Sequence, residues 1–120
     1  MAVDLHVHSS ASDGTDAPER GVAEAAALGL TALALTDHDP LSGVPAARAA
    51  AARFPIELIP GVELSGDHDG VKIHMLAYFL EPGPGPLQDQ LEDLRTGRAT
   101  RNVRIVERLN ELGYPITMDD

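Results

Sequence analysis

Short apolar runs alternate with helical patterns along the first half of this chain, and this alternation restricts the possible fold more than any other feature. The apolar runs with β-strand character occupy residues 2–8, 31–36 and 57–59. Between them, residues 18–28 and 44–54 carry helix signals, with Pro in the first turn and Gly or Pro just after the end. The order strand–helix–strand–helix–strand predicts an α/β fold that begins with a parallel sheet.

The second half of the chain has a different organisation. A turn over 67–70 precedes a strand over 71–79, and a Pro-rich loop over 81–86 leads into a helix over 87–112. That helix has a predicted weak point at Gly97 and a C-terminal stop at Gly113. A complete (β/α) barrel needs roughly 200–250 residues. We therefore predict that the 120 residues supply about half of such a barrel.

The composition limits the kinds of site the chain can build. It has no cysteine, so any metal must be bound by imidazole and carboxylate groups. The formal net charge of −10 argues against general nucleic-acid binding through a basic surface. An anionic substrate stays compatible with that charge, because bound divalent cations reverse the local field. No apolar run approaches the length of a membrane span, and a cytoplasmic protein without membrane contact is expected.

Metal-binding residue types recur at or just after the apolar runs. Strand geometry puts Asp4, His6 and His8 on one face of the first strand, and a polar loop with Asp13 follows. The other candidates in the same kind of position are His38, Glu63 and His74. Because α/β folds place their chemistry at the C-terminal ends of strands, we predict that six of these side chains converge on a multinuclear metal site, namely His6, His8, Asp13, His38, Glu63 and His74. Asp37 and Asp39 are expected to orient imidazole ligands, with direct metal binding as the alternative, and Asp4 is a further candidate for the orienting role. His68 is expected to be a solvated loop residue.

Four stretches of the chain resemble motifs of the PHP family, named for polymerase and histidinol phosphatase domains. They are Asp4–Ser9 with Ser12-Asp13-Gly14, then Thr36–Asp39, then Pro60–Ser65, and finally His74 with its flanking residues. Within the family, Asp37–Gly43 and Ile73–Tyr78 are most similar to the stand-alone nucleoside 3′,5′-bisphosphate phosphatases and 5′-3′ exoribonucleases. The stretch Arg98-Ala99-Thr100-Arg101 resembles an Arg-x-x-Arg sequence associated there with substrate phosphate.

The resemblance implies a distorted seven-stranded (β/α) barrel that binds two or three divalent ions, with Mn favoured over Fe or Zn. His6, His8 and Glu63 would hold the first ion, Asp13 and His38 the second, and Glu63 with His74 a third. Further ligands that the family supplies later in its sequence do not occur in these 120 residues. The resemblance also implies that 1–120 is the N-terminal part of a PHP domain. Residues 1–80 would form the barrel strands, and 87–120 would begin an inserted subdomain.

The periodicity of the last helix gives a separate indication about two arginines. At 100° per residue, Arg98 falls within the stripe formed by Leu91, Leu94 and Ile105, and Arg101 falls at its edge. An arginine on an apolar face needs an anionic partner, which is a substrate phosphate or a nearby carboxylate. Arg104 falls outside the stripe and is expected to be solvated.

These patterns together predict a metal-dependent phosphoesterase. It would hydrolyse a phosphomonoester, a nucleotide or the 5′ end of a short RNA through a metal-bridged hydroxide, with Arg98 and Arg101 neutralising charge on the phosphoryl oxygens. One alternative is a histidinol-phosphate-type phosphatase. The other is a truncated, non-catalytic metal-binding module. No protein partner is indicated by the sequence.

Overall fold

A computed structural model of the protein describes residues 2–38 and 41–119. Its elements are β1 (Ala2–Val7), α1 (Pro18–Ala27), β2 (Leu30–Leu35), α2 (Val44–Ala51), β3 (Glu57–His68), β4 (Val71–Tyr78) and α3 (Pro86–Glu111). They divide into two compact units, Met1–Gly83 and Pro84–Asp120. The boundary lies in the predicted loop over 81–86.

The first unit is built on one sheet with the strand order β1-β2-β3-β4. β1 pairs with β2 and β2 pairs with β3 in parallel, as the alternation predicted, whereas β4 pairs antiparallel with β3. The C-terminal ends of parallel strands lie at the same edge of a sheet, so the polar segments after β1 and β2 emerge together. Tyr78 on β4 donates its hydroxyl to the carbonyl of Leu5 on β1 at 2.9 Å. The sheet is therefore curled enough for its two outer strands to meet.

The core of this unit is formed mainly by small aliphatic side chains. Residues 32–36 of and after β2 are all buried, as is typical of a parallel strand that is covered on both faces. Helices α1 and α2 pack against each other and against β2 and β3. They contribute the buried side chains of Val22, Ala25, Val44, Ala47, Ala50 and Ala51. Alanine at these positions lets the helices approach closely despite the scarcity of aromatic residues.

Burial of β1 is lower than its alternating pattern suggests. Val3 is 51% exposed and Leu5 is 41% exposed. β1 is an outer strand of the sheet and has a strand neighbour on one side only, whereas β2 is paired on both sides. The period of two residues identified the strand correctly, but its burial depends on neighbours that the local pattern does not specify.

β3 is longer than predicted. We expected a strand over 57–59 with Glu63 just past its end, because Pro60 and Gly61 usually interrupt a strand. The structure has one continuous strand over Glu57–His68, with Glu63 inside it. Pro60 lacks an N–H, but its carbonyl accepts a hydrogen bond from the Leu80 N–H at 3.2 Å. At Pro60 the strand leaves its parallel pairing with β2, and from Gly61 it pairs with β4.

The structure confirms the predicted turn between β3 and β4, whereas α2 ends earlier than predicted. The two-residue turn Asp69-Gly70 joins β3 to β4, with φ of 52° and 79°, and the positive φ at both positions is typical of a type I′ hairpin turn. Helix α2 ends at Ala51, three residues earlier than predicted. Its last turn tightens, because the Arg53 and Phe54 N–H groups bond to carbonyls three residues back.

The second unit contains α3, which continues through Gly97 without the predicted break. It ends as expected at Gly113, whose φ of 91° allows the Gly113 and Tyr114 N–H groups to bond back to Asn110 and Leu109. Leu91 is the buried apolar residue of the stripe, while Leu94 and Ile105 are exposed. Within the described part of this unit, α3 is the only helix or strand, so this unit offers its apolar stripe no second helix or strand.

Candidate metal centre

The structure brings six of the predicted side chains together at the C-terminal edge of the parallel strands. They come from all four strands or the segments after them, and they are His6, His8, Asp13, His38, Glu63 and His74. Strand alternation directs His6 and His8 to the same face, and the parallel pairing of β1 with β2 places His38 beside them. Consecutive rings of His6, His8 and His38 have centroids 5.0 and 4.8 Å apart.

Glu63 is the common contact of this cluster. Its carboxylate is only 5% exposed. Oε2 lies 2.9 Å from Nε2 of His6 and 2.9 Å from Nε2 of His8. Oε1 lies 2.5 Å from Nδ1 of His74. The ligand atoms of His6, His8 and Glu63 all lie within 4.8 Å of one another, which is a spacing that one metal ion can bridge. These three residues are called group 1.

A second set of ligand atoms lies next to the first. Nδ1 of His8 is 2.7 Å from Oδ1 of Asp13, and Nε2 of His38 is 3.6 Å from Oδ2 of Asp13. His8, Asp13 and His38, called group 2, also have ligand atoms within 4.8 Å of one another. His8 belongs to both groups, with one ring nitrogen directed toward each. The two groups therefore form one continuous site.

The hydrogen bonds of His38 determine which of its ring nitrogens faces the cluster. Nδ1 lies 3.1 Å from the main-chain carbonyl of Glu63, so the network assigns the ring proton to Nδ1, which donates to that oxygen. The lone pair is then on Nε2, which faces Asp13 and the Glu63 carboxylate at 3.5 Å. A backbone carbonyl commonly orients a metal-binding imidazole in this way.

Both carboxylates favour the charged form that binds cations. Burial raises the pKa of Glu63, but hydrogen bonds from His6 and His74 and the nearby charge of His38 outweigh it, so the pKa of Glu63 is lowered. Burial likewise opposes ionisation of Asp13, but hydrogen bonds from His8 and Ser12 and the nearby charges of His8 and His38 together outweigh it, and the pKa of Asp13 is lowered. Imidazole nitrogens with carboxylate oxygens are ligands suited to Mn, Fe and Zn. The donor set therefore fits divalent metal ions.

The predicted orienting carboxylates do not contact imidazoles in the expected way. Asp37 accepts hydrogen bonds from Ser9 and Ser12, at 2.6 Å from the Ser9 N–H and 2.6 Å from the Ser12 hydroxyl. Asp4 accepts from the backbone N–H of His6 at 3.1 Å rather than from a ring. Short polar side chains can bond to nearby backbone and hydroxyl groups, and these bonds replace the predicted contacts with imidazoles. Asp39 lies outside the described residues.

The remaining predicted residues lie away from the six-residue cluster or in the second unit. His68 is exposed at the end of β3, 3.8 Å from Asp69, as expected for a solvated residue. Arg98 is half-buried on α3 and Arg101 is exposed on the same helix. Their role in binding phosphate stays a prediction. No helix in the described parts of the chain is long and apolar enough to cross a membrane.

Three contributors to the site, Ser9, Ser12 and Tyr78, were not predicted from the sequence. Ser9 and Ser12 were treated only as parts of a motif, although their hydroxyls hold the loop that carries Asp13. Tyr78 was also noted only within a motif, although its hydroxyl joins β4 to β1. The Ser-rich stretch 9–12 was a sequence signal for side-chain hydrogen bonds to backbone or carboxylate groups. The contact of Tyr78 with Leu5 joins residues 73 positions apart, and no local sequence signal indicates it.

Comparison with known proteins agrees with this geometry. The PHP domain family model matches residues 4–113. A 5′-3′ exoribonuclease of Haemophilus influenzae is 38% identical over 116 residues, which are 97% of this chain and 42% of the relative. A 3′,5′-nucleoside bisphosphate phosphatase of Chromobacterium violaceum is 39% identical over 99 residues, covering 82% of this chain and 35% of the relative.

A solved structure has the same fold. A protein from Bifidobacterium adolescentis, described as a candidate metal-dependent phosphoesterase, superposes with a TM-score of 0.87 at 35% identity. The match covers 98% of this chain and 41% of that one. The chain thus spans less than half the length of the relatives it matches. The match over residues 4–113, together with the shared architecture, confirms the predicted partial barrel, and the chain belongs to the PHP domain family.

Proposed function

We propose that the complete protein is a metal-dependent phosphoesterase that hydrolyses a phosphomonoester, a nucleotide or an RNA 5′ end. The observation that carries this proposal is the pair of adjacent ligand groups that share His8. The names of the matched relatives, an exoribonuclease and a bisphosphate phosphatase, support it because both describe cleavage of phosphoesters. Residues 1–80 would supply barrel strands, and 87–120 would begin an inserted subdomain.

The residues of the cluster have distinct tasks in this proposal. His6, His8 and Glu63 would hold one divalent ion, Asp13 and His38 a second, and Glu63 with His74 a third. Such ions, when bound, polarise phosphoryl oxygens and make water acidic enough to act as a nucleophile near neutral pH. Mn is the favoured metal by family resemblance, and the cytoplasm is the expected location.

Contacts within the protein fix the orientation of Glu63 and His38 in the absence of substrate. Glu63 is buried and its two oxygens face different imidazoles, so its orientation is set by contacts on both sides. The Nδ1–H of His38 is occupied by a main-chain carbonyl, which keeps Nε2 directed into the cluster. Preorganised groups of this kind need little rearrangement during the reaction. On α3, Arg98 and Arg101 would bind the substrate phosphate through charge-assisted hydrogen bonds.

The proposal is tested on the complete, metal-free protein. Phosphate release from adenosine 3′,5′-bisphosphate, a short 5′-phosphorylated RNA and histidinol phosphate is measured before and after addition of Mn²⁺. Hydrolysis should require the metal, and Glu63→Gln should lose metal affinity by more than the roughly ten- to hundredfold typical of an outer-shell partner. His68→Ala, an exposed site on the same strand, is the matched control and should behave as wild type. Activity that survives exhaustive chelation would contradict the proposal.

A further inference from the structure

Asp37 is a buried carboxylate whose oxygens are held by the loop after β1. It is 3% exposed. Oδ1 accepts hydrogen bonds from the Ser9 N–H at 2.6 Å and the Ser12 hydroxyl at 2.6 Å, and Oδ2 accepts from the Ser9 hydroxyl at 2.7 Å. Burial of a carboxylate that accepted no hydrogen bonds would cost free energy, and the three donors at these distances offset that cost. Asp37 is therefore held in one defined orientation.

The bonds of Asp37 reach every part of group 2 through the chain. Ser9 directly follows His8, and Ser12 directly precedes Asp13. Asp37 itself directly precedes His38. The Asp37 carboxylate thus accepts hydrogen bonds from the chain neighbours of His8 and Asp13, and Asp37 itself is the chain neighbour of His38. It can therefore set their relative positions without being a ligand.

The loop between Ser9 and Gly14 is compact and is closed by hydrogen bonds within it. The Ser9 carbonyl accepts from the Ser12 N–H at 3.0 Å and from the Gly14 N–H at 2.9 Å. The Ser9 hydroxyl oxygen accepts from the Ala11 N–H at 3.1 Å. A Cβ on Gly14 would lie 2.5 Å from the carbonyl oxygen of His8, so the backbone passes too close for any other residue. Anchoring Ser9 and Ser12 on Asp37 therefore fixes where Asp13 projects.

We propose that Asp37 is a positioning residue that places Asp13 and His38, the two members of group 2 that are not also in group 1, and that it leaves metal binding at group 1 largely unchanged. The inference rests on the proposed function, because it assumes that both groups bind divalent ions. Selectivity is expected because Glu63 lies inside β3, where it pairs with Leu76 of β4, and His6 lies within β1. Loss of the Asp37 bonds would release the loop with Asp13 but not those strands.

The test uses Mn²⁺ binding to the complete, metal-free protein, followed by titration calorimetry. The group 2 class of sites is defined as the one that Asp13→Asn removes. Asp37→Asn has nearly the same shape but places an amide where donors converge, and it should weaken that class by roughly ten- to hundredfold. The other class should keep its affinity. A residue that supported only the overall fold would weaken both classes together, so unequal loss is the diagnostic readout.

A second pair of variants keeps the test decisive if Asp37→Asn does not fold. Ser12→Ala removes one of the three hydrogen bonds and should weaken the same class to a smaller extent, while Ser12→Thr keeps a hydroxyl and should restore wild-type binding. Unchanged binding in Ser12→Ala, or equal weakening of both classes, would overturn the role of Asp37 alone. Wild-type protein that binds no Mn²⁺, or lacks any class sensitive to Asp13→Asn, would instead contradict the proposed function.

Discussion

Glu63 is a residue of the first unit whose carboxylate contacts several imidazoles at once. Its buried carboxylate contacts imidazoles that come from β1, from β4 and from the segment after β2. Burial alone would raise the pKa of Glu63, but the hydrogen bonds from His6 and His74 and the nearby charges of His38 and His6 together lower it. The charge state of one residue therefore influences how three separate strands are held together.

The lowered pKa of Glu63 predicts acid sensitivity of the metal-free protein. A carboxyl whose folded pKa lies below its ordinary value of 4.5 stabilises the native state above that pH, and this contribution is lost as pH falls through the folded pKa. The free energy of unfolding of the wild type, measured by urea titration, should decline below about pH 4.5. Glu63→Gln should show a shallower decline, and identical slopes in both proteins would refute this assignment.

Arg98 is predicted to bind the substrate phosphate. It is half-buried on α3, whereas Arg104 on the same helix is exposed. A charge-assisted hydrogen bond contributes about 1.5–3 kcal/mol, so Arg98→Ala in the complete enzyme should lower kcat/KM by roughly tenfold to a few hundredfold. Metal content should not change, and Arg98→Lys should recover only part of the loss, because it keeps the charge but not the bidentate fork.

Arg104→Ala provides the matched control for this prediction. It removes the same group from an exposed position of α3 and should change kcat/KM little. Full kcat/KM in Arg98→Ala would contradict phosphate binding. A loss of stability alone in that variant would favour the alternative in which Arg98 pairs with a carboxylate of the protein.

At the scale of elements, β3 is the strand that joins the parallel and antiparallel parts of the sheet. The change of partner occurs at Pro60 and Gly61. A Cβ on Gly61 would lie 2.8 Å from the carbonyl oxygen of Ala77 on β4 and 3.0 Å from the Thr36 side chain. The backbone of β4 can approach β3 here because Gly61 has no side chain, and this approach brings His74 toward Glu63.

Gly61→Ala should therefore be destabilising. Overpacking against a main-chain oxygen costs about 1–3 kcal/mol, and the free energy of unfolding should fall by that amount in urea titration. Gly66 lies on the same strand with no heavy atom within 4 Å of an added Cβ, so Gly66→Ala is the control and should be near neutral. Equal stability of the two variants would show that the close approach is not required.

At the scale of the whole molecule, the described residues supply the two adjoining ligand groups, and the chain spans less than half the length of the relatives named above. The family resemblance implies further ligands later in the sequence. We predict that the 120-residue chain binds Mn²⁺ but hydrolyses a phosphoester at least roughly a hundredfold more slowly than the complete protein, the loss typical of one missing charge-stabilising group. Phosphate release assayed at equal metal occupancy measures this, and equal rates would contradict it.

Local patterns were enough to predict the order of elements and the identity of the clustered side chains. The strand and helix periods are properties of neighbouring residues, so β1, β2 and both helices of the first unit could be located before the structure was known. The candidates His6, His8, Asp13, His38, Glu63 and His74 were identified because each follows or lies within an apolar run, and parallel strands must end at one edge.

Tertiary structure alone decided the features that depend on contacts between distant residues. Asp37 binds Ser9 and Ser12 across 28 and 25 positions of the chain, instead of an imidazole. Glu63 lies inside β3 because β4 pairs with residues beyond Pro60 and Gly61, where the predicted strand had already ended. Hydrogen-bond partners and pairing across a sheet are chosen by the whole folded chain, whereas periodicity is set by covalent geometry over a few residues.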